Sequence, residues 1–289
     1  MNKKNKYFFI FGTLTLFYFF CLNVATRQKE RIASPKPKVP VEVKKETKPL
    51  KKSATGYRYR KYGHVAKLYH RLALPVTELC IKHKVPPGAV LSIISLESGW
   101  GQGYIGRITG NFLSLNAAGN DAELPALKMP KDITTQTTIL DKRKLAKIPK
   151  ANIIWENRPP SLKKDYRPDS IAGTTTHLDF LINHPDEMTK ANLQNVEDFV
   201  SRFISHTSSI KAYNEARTLL DEQVAKHGIE ILFDAKLNEK FIYTIGGRPN
   251  SFNFRETWPK KVMNIYKNTG INKLTKDLYL NKKTFEQAW

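Results

Sequence analysis

Residues 87–98 read PGAVLSIISLES, and their apolar positions fall on nearly every side of a helical wheel. A helix that is apolar all round is normally buried, so this stretch predicts a central core helix. Pro86-Pro87-Gly88 turns the chain into it. Gly99 is a natural stop, because glycine takes the left-handed conformation without a steric cost. Upstream, the pattern predicts a helix that starts near Gly63 and runs through Tyr69. A second helix follows, with Pro75 in its first turn and Leu74, Leu79 and Ile81 on its apolar side. Downstream, Val196, Phe199, Val200 and Phe203 recur at helical spacing over 196–204. Tyr213, Ala216, Leu219, Leu220 and Val224 do the same over 210–227, where Gly228 ends the helix. Residues 258–266 read as a short helix with Pro259 in its first turn. Within 117–165, Leu124-Pro125-Ala126-Leu127 is strand- or loop-like and Asp141-Lys142-Arg143-Lys144 is a solvated charge run.

One charge interrupts the apolar centre. Between Lys84 and Arg107 the only charged side chain is Glu97, at the end of the predicted core helix and beside Trp100. Burial disfavours an ionised carboxylate and raises its pKa. A carboxyl that stays protonated near neutral pH can donate a proton to a leaving oxygen, as glycosidase acids do. The plainer reading is a salt-bridged glutamate at a helix end. The lack of local basic partners and the flanking Ser-Gly-Trp-Gly favour the acid.

Residues 74–101, LPVTELCIKHKVPPGAVLSIISLESGWG, resemble the opening of the bacterial glucosaminidase domain of glycoside hydrolase family 73, the autolysin and flagellar peptidoglycan hydrolase type. That family has a helix, a V-P-P turn, and a second helix ending in E-S-G-W-G. The resemblance implies a mainly α (α+β), lysozyme-like fold with a helical lobe and a small β lobe around a cleft. It implies hydrolysis of the β-1,4 bond of N-acetylglucosamine in peptidoglycan, with Glu97 as general acid.

It also implies that Asn111, in Gly110-Asn111-Phe112-Leu113-Ser114, borders the cleft, and that Tyr166 of Tyr166-Arg167-Pro168 faces the sugar. The β lobe would fall within 117–165 and supply a second carboxylate, if one is used. Candidates are Asp121, Glu123, Asp132, Glu156 and Asp165. Glu123 is preferred because it adjoins an apolar segment, and Asp165 is next because it adjoins Tyr166. The substrate's own acetamido group is the alternative nucleophile. Trp100 and Phe252, the latter in the glycine-rich loop 245–254, are expected to bind substrate, since aromatic faces suit the apolar faces of sugar rings.

Composition changes the picture mainly at the ends of the chain. Its 289 residues, 40% of them hydrophobic, suffice for one sizeable core or two small ones. Residues 1–60 hold 15 of the 48 basic and only 3 of the 26 acidic side chains, so the head is densely basic. The body remains moderately basic, which suits an anionic polymer such as nucleic acid, lipid headgroups or bacterial wall. No recognition motif accompanies the charge, and no nucleic-acid partner is expected.

Residues 1–6 read as a cytoplasmic tail, and 7–25, YFFIFGTLTLFYFFCLNVA, as an uncleaved transmembrane signal anchor. A signal peptide is the alternative, disfavoured by the poor cleavage site at Asn23 and Ala25. Residues 26–56 form a linker rich in lysine and proline. The glucosaminidase-like domain is placed at 57–270, and 271–289 as a basic C-terminal tail. The implied location is the inner membrane, single-pass, with the body facing the periplasm and cell wall. Cys21 and Cys80 are not placed to pair, and the seven histidines show no ligand spacing, so neither a disulfide, a metal nor a cofactor is expected. The rival reading is a non-catalytic peptidoglycan-binding or wall-assembly protein on the same fold.

The anchor has a direct test. About 19 apolar residues insert far more stably than a basic patch adsorbs, so salt and carbonate washes should leave the full chain in the membrane fraction. N-terminal sequencing that starts after Ala25 would identify a signal peptide instead.

Overall fold

The computed structural model describes residues 56–158 and 162–289. The tail at 1–6, the anchor at 7–25 and the linker up to residue 55 lie outside the described residues. Among those described, no helix is long and apolar enough to cross a membrane.

In chain order come α1 (Gly63–Lys82), α2 (Pro87–Glu97), α3 (Tyr104–Thr109), β1 (Leu127–Asp132), β2 (Thr137–Thr138), α4 (Lys142–Leu145) and β3 (Ile153–Arg158). Then follow α5 (Phe180–Asn183), α6 (Pro185–Glu197), α7 (Lys211–His227), α8 (Ala235–Ile245), α9 (Trp258–Thr269), α10 (Ile271–Tyr279) and α11 (Phe285–Ala288). The arrangement is the expected mainly helical α+β one, with a helical lobe and a small β lobe.

The predicted core helix is α2. Every residue from Pro87 to Ser95 is buried, and α1, α8, α9 and α10 pack around it. A helix in that position must satisfy its own polar groups. Ser92, Ser95 and Ser98 each donate to the carbonyl four residues back, and the Ser95 hydroxyl also meets the Tyr69 hydroxyl. At the other end, the Asn238 carbonyl oxygen on α8 accepts the Ala89 N–H at 2.9 Å, one of the orphan donors of the first turn. Gly88 permits this approach: a Cβ there would stand 3.1 Å from that same oxygen.

The two helices expected before α2 are one. Pro75 lies inside α1, which runs unbroken for 20 residues. An interior proline costs roughly 3 kcal/mol. Leu68, Tyr69, Leu72 and Ala73 before it, and Val76 and Cys80 after it, all enter the same core, and that shared burial outweighs the lost hydrogen bond. The helix expected over 196–204 is instead the end of α6, continued by a π-helical turn over Asp198–Phe203.

The C-terminal segment also needs correction. Residues 271–289, read as a basic appendage, form α10 and α11. Ile271, Leu274, Leu278, Phe285 and Trp289 are buried in the main core. The basic residues that dominate the composition occupy the outer faces, and the apolar ones recur at helical spacing beneath them.

The β lobe is a three-stranded antiparallel sheet in the order β2-β1-β3, in register from Leu127 opposite Arg158 to Asp132 opposite Ile153. Ile108 of α3 and Leu124, Leu127 and Met129 make its small core. Isolated bridges from Asn116 to Lys163 and from Glu123 to Lys164 close the return of the chain to the helical lobe.

Candidate functional site

Glu97 is the last residue of α2, half-buried at the edge of the core that encloses the helix. The chain then makes three consecutive left-handed residues, Gly99, Trp100 and Gly101. Their hydrogen bonds fold back onto the helix end. Trp100 N–H donates to the Ser95 carbonyl at 2.9 Å, Gly101 N–H to the Ser98 hydroxyl at 2.8 Å and Gly103 N–H to the Ser98 carbonyl at 2.7 Å. This tight reversal ends the helix at the carboxyl.

Burial pushes the Glu97 carboxyl above the ordinary carboxylate range. A hydrogen bond from the Trp258 indole restrains that shift, and so do the charges of Lys163 and Arg255. The indole Nε1–H donates to Glu97 Oε1 at 2.7 Å across 161 residues of sequence. Leu96, Asn253, Arg255, Thr257, Trp258 and Lys261 surround the carboxyl in a pocket of about 190 Å³. Lys163, whose ammonium donates to the Ser114 carbonyl and the Asn116 side-chain oxygen, comes from the return of the β lobe. Burial lowers its pKa, and the Glu97 charge opposes that. The buried Tyr213 phenol is raised by burial and by the same carboxylate. The group is thus a protonatable acid held by one neutral donor, with cations at a remove.

Trp258 carries no site signal in the sequence beyond its place at a helix start. Its placement depends on Gly246 and Gly247, at the end of α8. A Cβ on Gly246 would overlap the Trp258 ring, and one on Gly247 would come within 2.7 Å of Pro259. The Gly-Gly pair before a Trp-Pro helix start is the signal that the sequence carried. Phe252, expected to bind substrate, is half-buried and packs on Trp258 and Phe199, with ring centroids 5.4 and 5.7 Å away.

Three other expected site residues are committed to structure. Asn111 is 1% exposed and has no capacity left for a ligand. Its amide donates to the carbonyls of Leu115 and Lys164, and its oxygen accepts from Leu115 N–H and the Asn195 amide, which exhausts an asparagine's four bonds. Asp165 has no exposed side-chain surface and is paired with Arg167 at 2.6 Å. It also accepts the Gly173 N–H, while Arg167 reaches the carbonyls of Thr174 and Thr176, so the pair pins the loop over 165–176. Tyr166 is buried beside Leu181 and Ala191, and its hydroxyl donates to Asp198 at 2.8 Å.

Glu123 is half-buried, and its Oε1 accepts the Leu162 N–H at 3.1 Å. Asp121 is tied to Lys164 and Arg202, and Glu156 to Lys131. Asp132 accepts the Thr134 N–H at the turn between β1 and β2. Trp100 remains half-exposed, next to the Glu97 pocket. Among the described residues no cluster of His, Cys, Asp or Glu is arranged to hold a metal ion.

No protein-family model matches the chain, and no curated protein matches it. Among solved structures it is similar to the catalytic domain of the autolysin Auto of Listeria monocytogenes. The identity is 12% and the TM-score 0.38, over 73% of this chain and 87% of that one.

Two outcomes follow from the geometry. Asn111→Ala removes the bonds that satisfy the Leu115 N–H, the Lys164 carbonyl and the Asn195 amide, at about 1–3 kcal/mol each. Denaturant unfolding should register a loss of at least about 3 kcal/mol, whereas a residue that only touched ligand would leave stability unchanged. Trp258→Phe removes a bond that favours the ionised form of Glu97, so the carboxyl should titrate at a higher pH than in the wild type. Carbon-detected NMR of the Glu97 carboxyl reads this directly; an unmoved or lowered midpoint would show that the indole bond does not hold the carboxylate.

Proposed function

We propose that this chain is a peptidoglycan hydrolase that cleaves the β-1,4 bond of N-acetylglucosamine in the glycan strand, with Glu97 as the general acid. The observation that carries the reading is local: a carboxyl on the end of a helix buried from Pro87 to Ser95, raised by burial and held by an indole N–H. General acid catalysis needs a group that is still protonated near the working pH and becomes an acceptable anion after transfer. Burial supplies the first property. The Trp258 bond, with the charges of Lys163 and Arg255, supplies the second. The E-S-G-W-G ending of α2, which resembles that of glucosaminidase domains, supports the same role.

In this reading the protonated Glu97 donates to the glycosidic oxygen as the bond from the anomeric carbon breaks. Positive charge that develops on the sugar is then quenched by a nucleophile on its other face. With Asp165 committed to Arg167, that step falls to a water activated by Glu123 or to the acetamido oxygen of the substrate. The chain is held at the inner membrane by residues 7–25 in the same proposal, with its body on the wall side.

The test is mass spectrometry of the sugars released from purified peptidoglycan by the full chain. Glu97→Gln should stay folded by circular dichroism and lose roughly a hundred- to ten-thousand-fold in rate. Normal turnover by the folded variant would end the reading. If the wild type binds peptidoglycan and releases nothing, the non-catalytic wall-binding reading replaces it. Glu123→Gln divides the two nucleophiles: a loss of at least about a hundredfold assigns water activation to Glu123, and retained activity assigns the step to the acetamido group.

A further inference from the structure

The β lobe ends in a surface that the Glu97 pocket does not use. β3 is an outer strand of its sheet. Ile154 and Trp155 are consecutive on it, so their side chains point to opposite faces, yet they remain 43% and 55% exposed. The strand is thus covered on neither face at this end. Ile154 stands opposite Lys131, and Trp155 opposite Pro130. Ile133, 39% exposed, joins them at the same end of the sheet, where its N–H donates to the Asn152 carbonyl at 3.0 Å. Outer strands are ordinarily blunted by charged side chains, proline or a covering segment. Here two isoleucines and a tryptophan stand at one strand end, and none of them lines the pocket around Glu97.

Cations accompany these apolar side chains. Residues 127–158 hold eight basic and three acidic side chains. The three carboxylates are already engaged. Asp132 accepts the Thr134 N–H, Asp141 accepts the Arg143 N–H at the start of α4, and Glu156 pairs with Lys131. Lys128, Lys144, Lys147 and Lys150 are exposed and engage no carboxylate among the described residues. Lys128 lies two residues before Pro130, on the face that carries Trp155. Lys150 opens the turn that feeds β3, in which the Asn152 N–H donates to the Pro149 carbonyl at 2.8 Å. Lys144 and Lys147 precede it, on and just after α4.

We propose that this end of the β lobe is a peripheral contact for an anionic lipid surface. Ile133, Ile154 and Trp155 enter the boundary between headgroups and acyl chains, and the lysines lie on the lipid phosphates. Tryptophan is favoured at that depth because its ring is apolar and its indole N–H polar. Each apolar side chain and each lysine contributes little alone, and stable attachment needs both kinds together. The docking is independent of the chemistry of Glu97. It draws on the anchor proposed at residues 7–25, which keeps a bilayer at hand, and it would confine the Glu97 pocket to wall material next to that bilayer. A second copy of the chain would cover the apolar side chains but set like charges against each other. An acidic polymer would satisfy the lysines but leave the isoleucines and the tryptophan in water.

Quenching of tryptophan by lipids brominated on the acyl chain reads the contact. The full chain is reconstituted into vesicles of phosphatidylcholine alone, and of phosphatidylcholine mixed equally with phosphatidylglycerol, each with and without brominated lipid. Subtracting the signal of the Trp155→Phe variant isolates Trp155 from the other tryptophans. In anionic vesicles at low salt the Trp155 signal should be quenched at least about twofold, and it should recover in high salt and in neutral vesicles. Lys144→Gln, Lys147→Gln and Lys150→Gln together should remove at least about half of the quenching, and so should Ile154→Ser. Circular dichroism checks that the variants stay folded.

An unquenched Trp155 in anionic vesicles would overturn the docking. So would equal quenching in neutral and anionic vesicles, or an unchanged signal in the triple lysine variant. A shift of Trp155 emission by soluble polyglutamate that vesicles do not produce would give this face to an acidic protein instead. Anchor and docking fail separately. A chain inserted through residues 7–25 with Trp155 unquenched keeps the anchor and loses the docking. Quenching of Trp155 on a chain processed after Ala25 keeps the docking and loses the anchor.

Discussion

The enclosure of α2 from Pro87 to Ser95 is the constraint on which the rest of the molecule depends. Val90, Leu91, Ile93 and Ile94 have no exposed surface, and burying each such side chain contributes about 1.5–3 kcal/mol. A helix packed on every face cannot rotate or slide without opening a cavity. Its C-terminal carboxyl is therefore placed by core packing and not by a flexible loop. The polar cost of this burial is met locally, by serines that bond one turn back and by Asn238 at the first turn.

Enclosure raises the pKa of the Glu97 carboxyl, and groups from elsewhere in the chain oppose that shift. The second half of the design comes from the far end of the chain, where α9 opens with Trp258 against Glu97 and the preceding loop brings up Arg255. A neutral donor at hydrogen-bond distance lowers the carboxyl's pKa without placing a formal charge against it. The β lobe contributes Lys163 from its returning segment. Three separate parts of the sequence thus meet around one oxygen pair.

What was legible in the sequence was what is local. The all-round apolar pattern identified α2, the isolated charge identified Glu97, and Gly99 marked the stop. Pro75 marks a boundary by local rules, because proline ordinarily begins helices, yet the apolar stripe on either side of it faces one core. In residues 271–289 the lysines mask the helical period that Ile271, Leu274 and Leu278 carry. Asn111 and Tyr166 have partners on α6 and its π-helical extension, some 84 and 32 residues away, which no local pattern announces. Asp165 has its partner two residues on, but only the fold shows that both are sealed from solvent. Trp258 stood at a visible helix start, and its bond to Glu97 spans more than half the chain.

Gly246 has no functional group and touches no ligand pocket, yet its hydrogen atom faces the Trp258 ring with no room for a methyl. A side chain there would lever the indole away from the carboxyl before it disturbed anything else. Mutational tolerance around this site therefore does not follow chemistry. A position that contributes only the absence of atoms thus bears on the acid, because the hydrogen bond to Glu97 depends in part on empty space one residue past the end of α8.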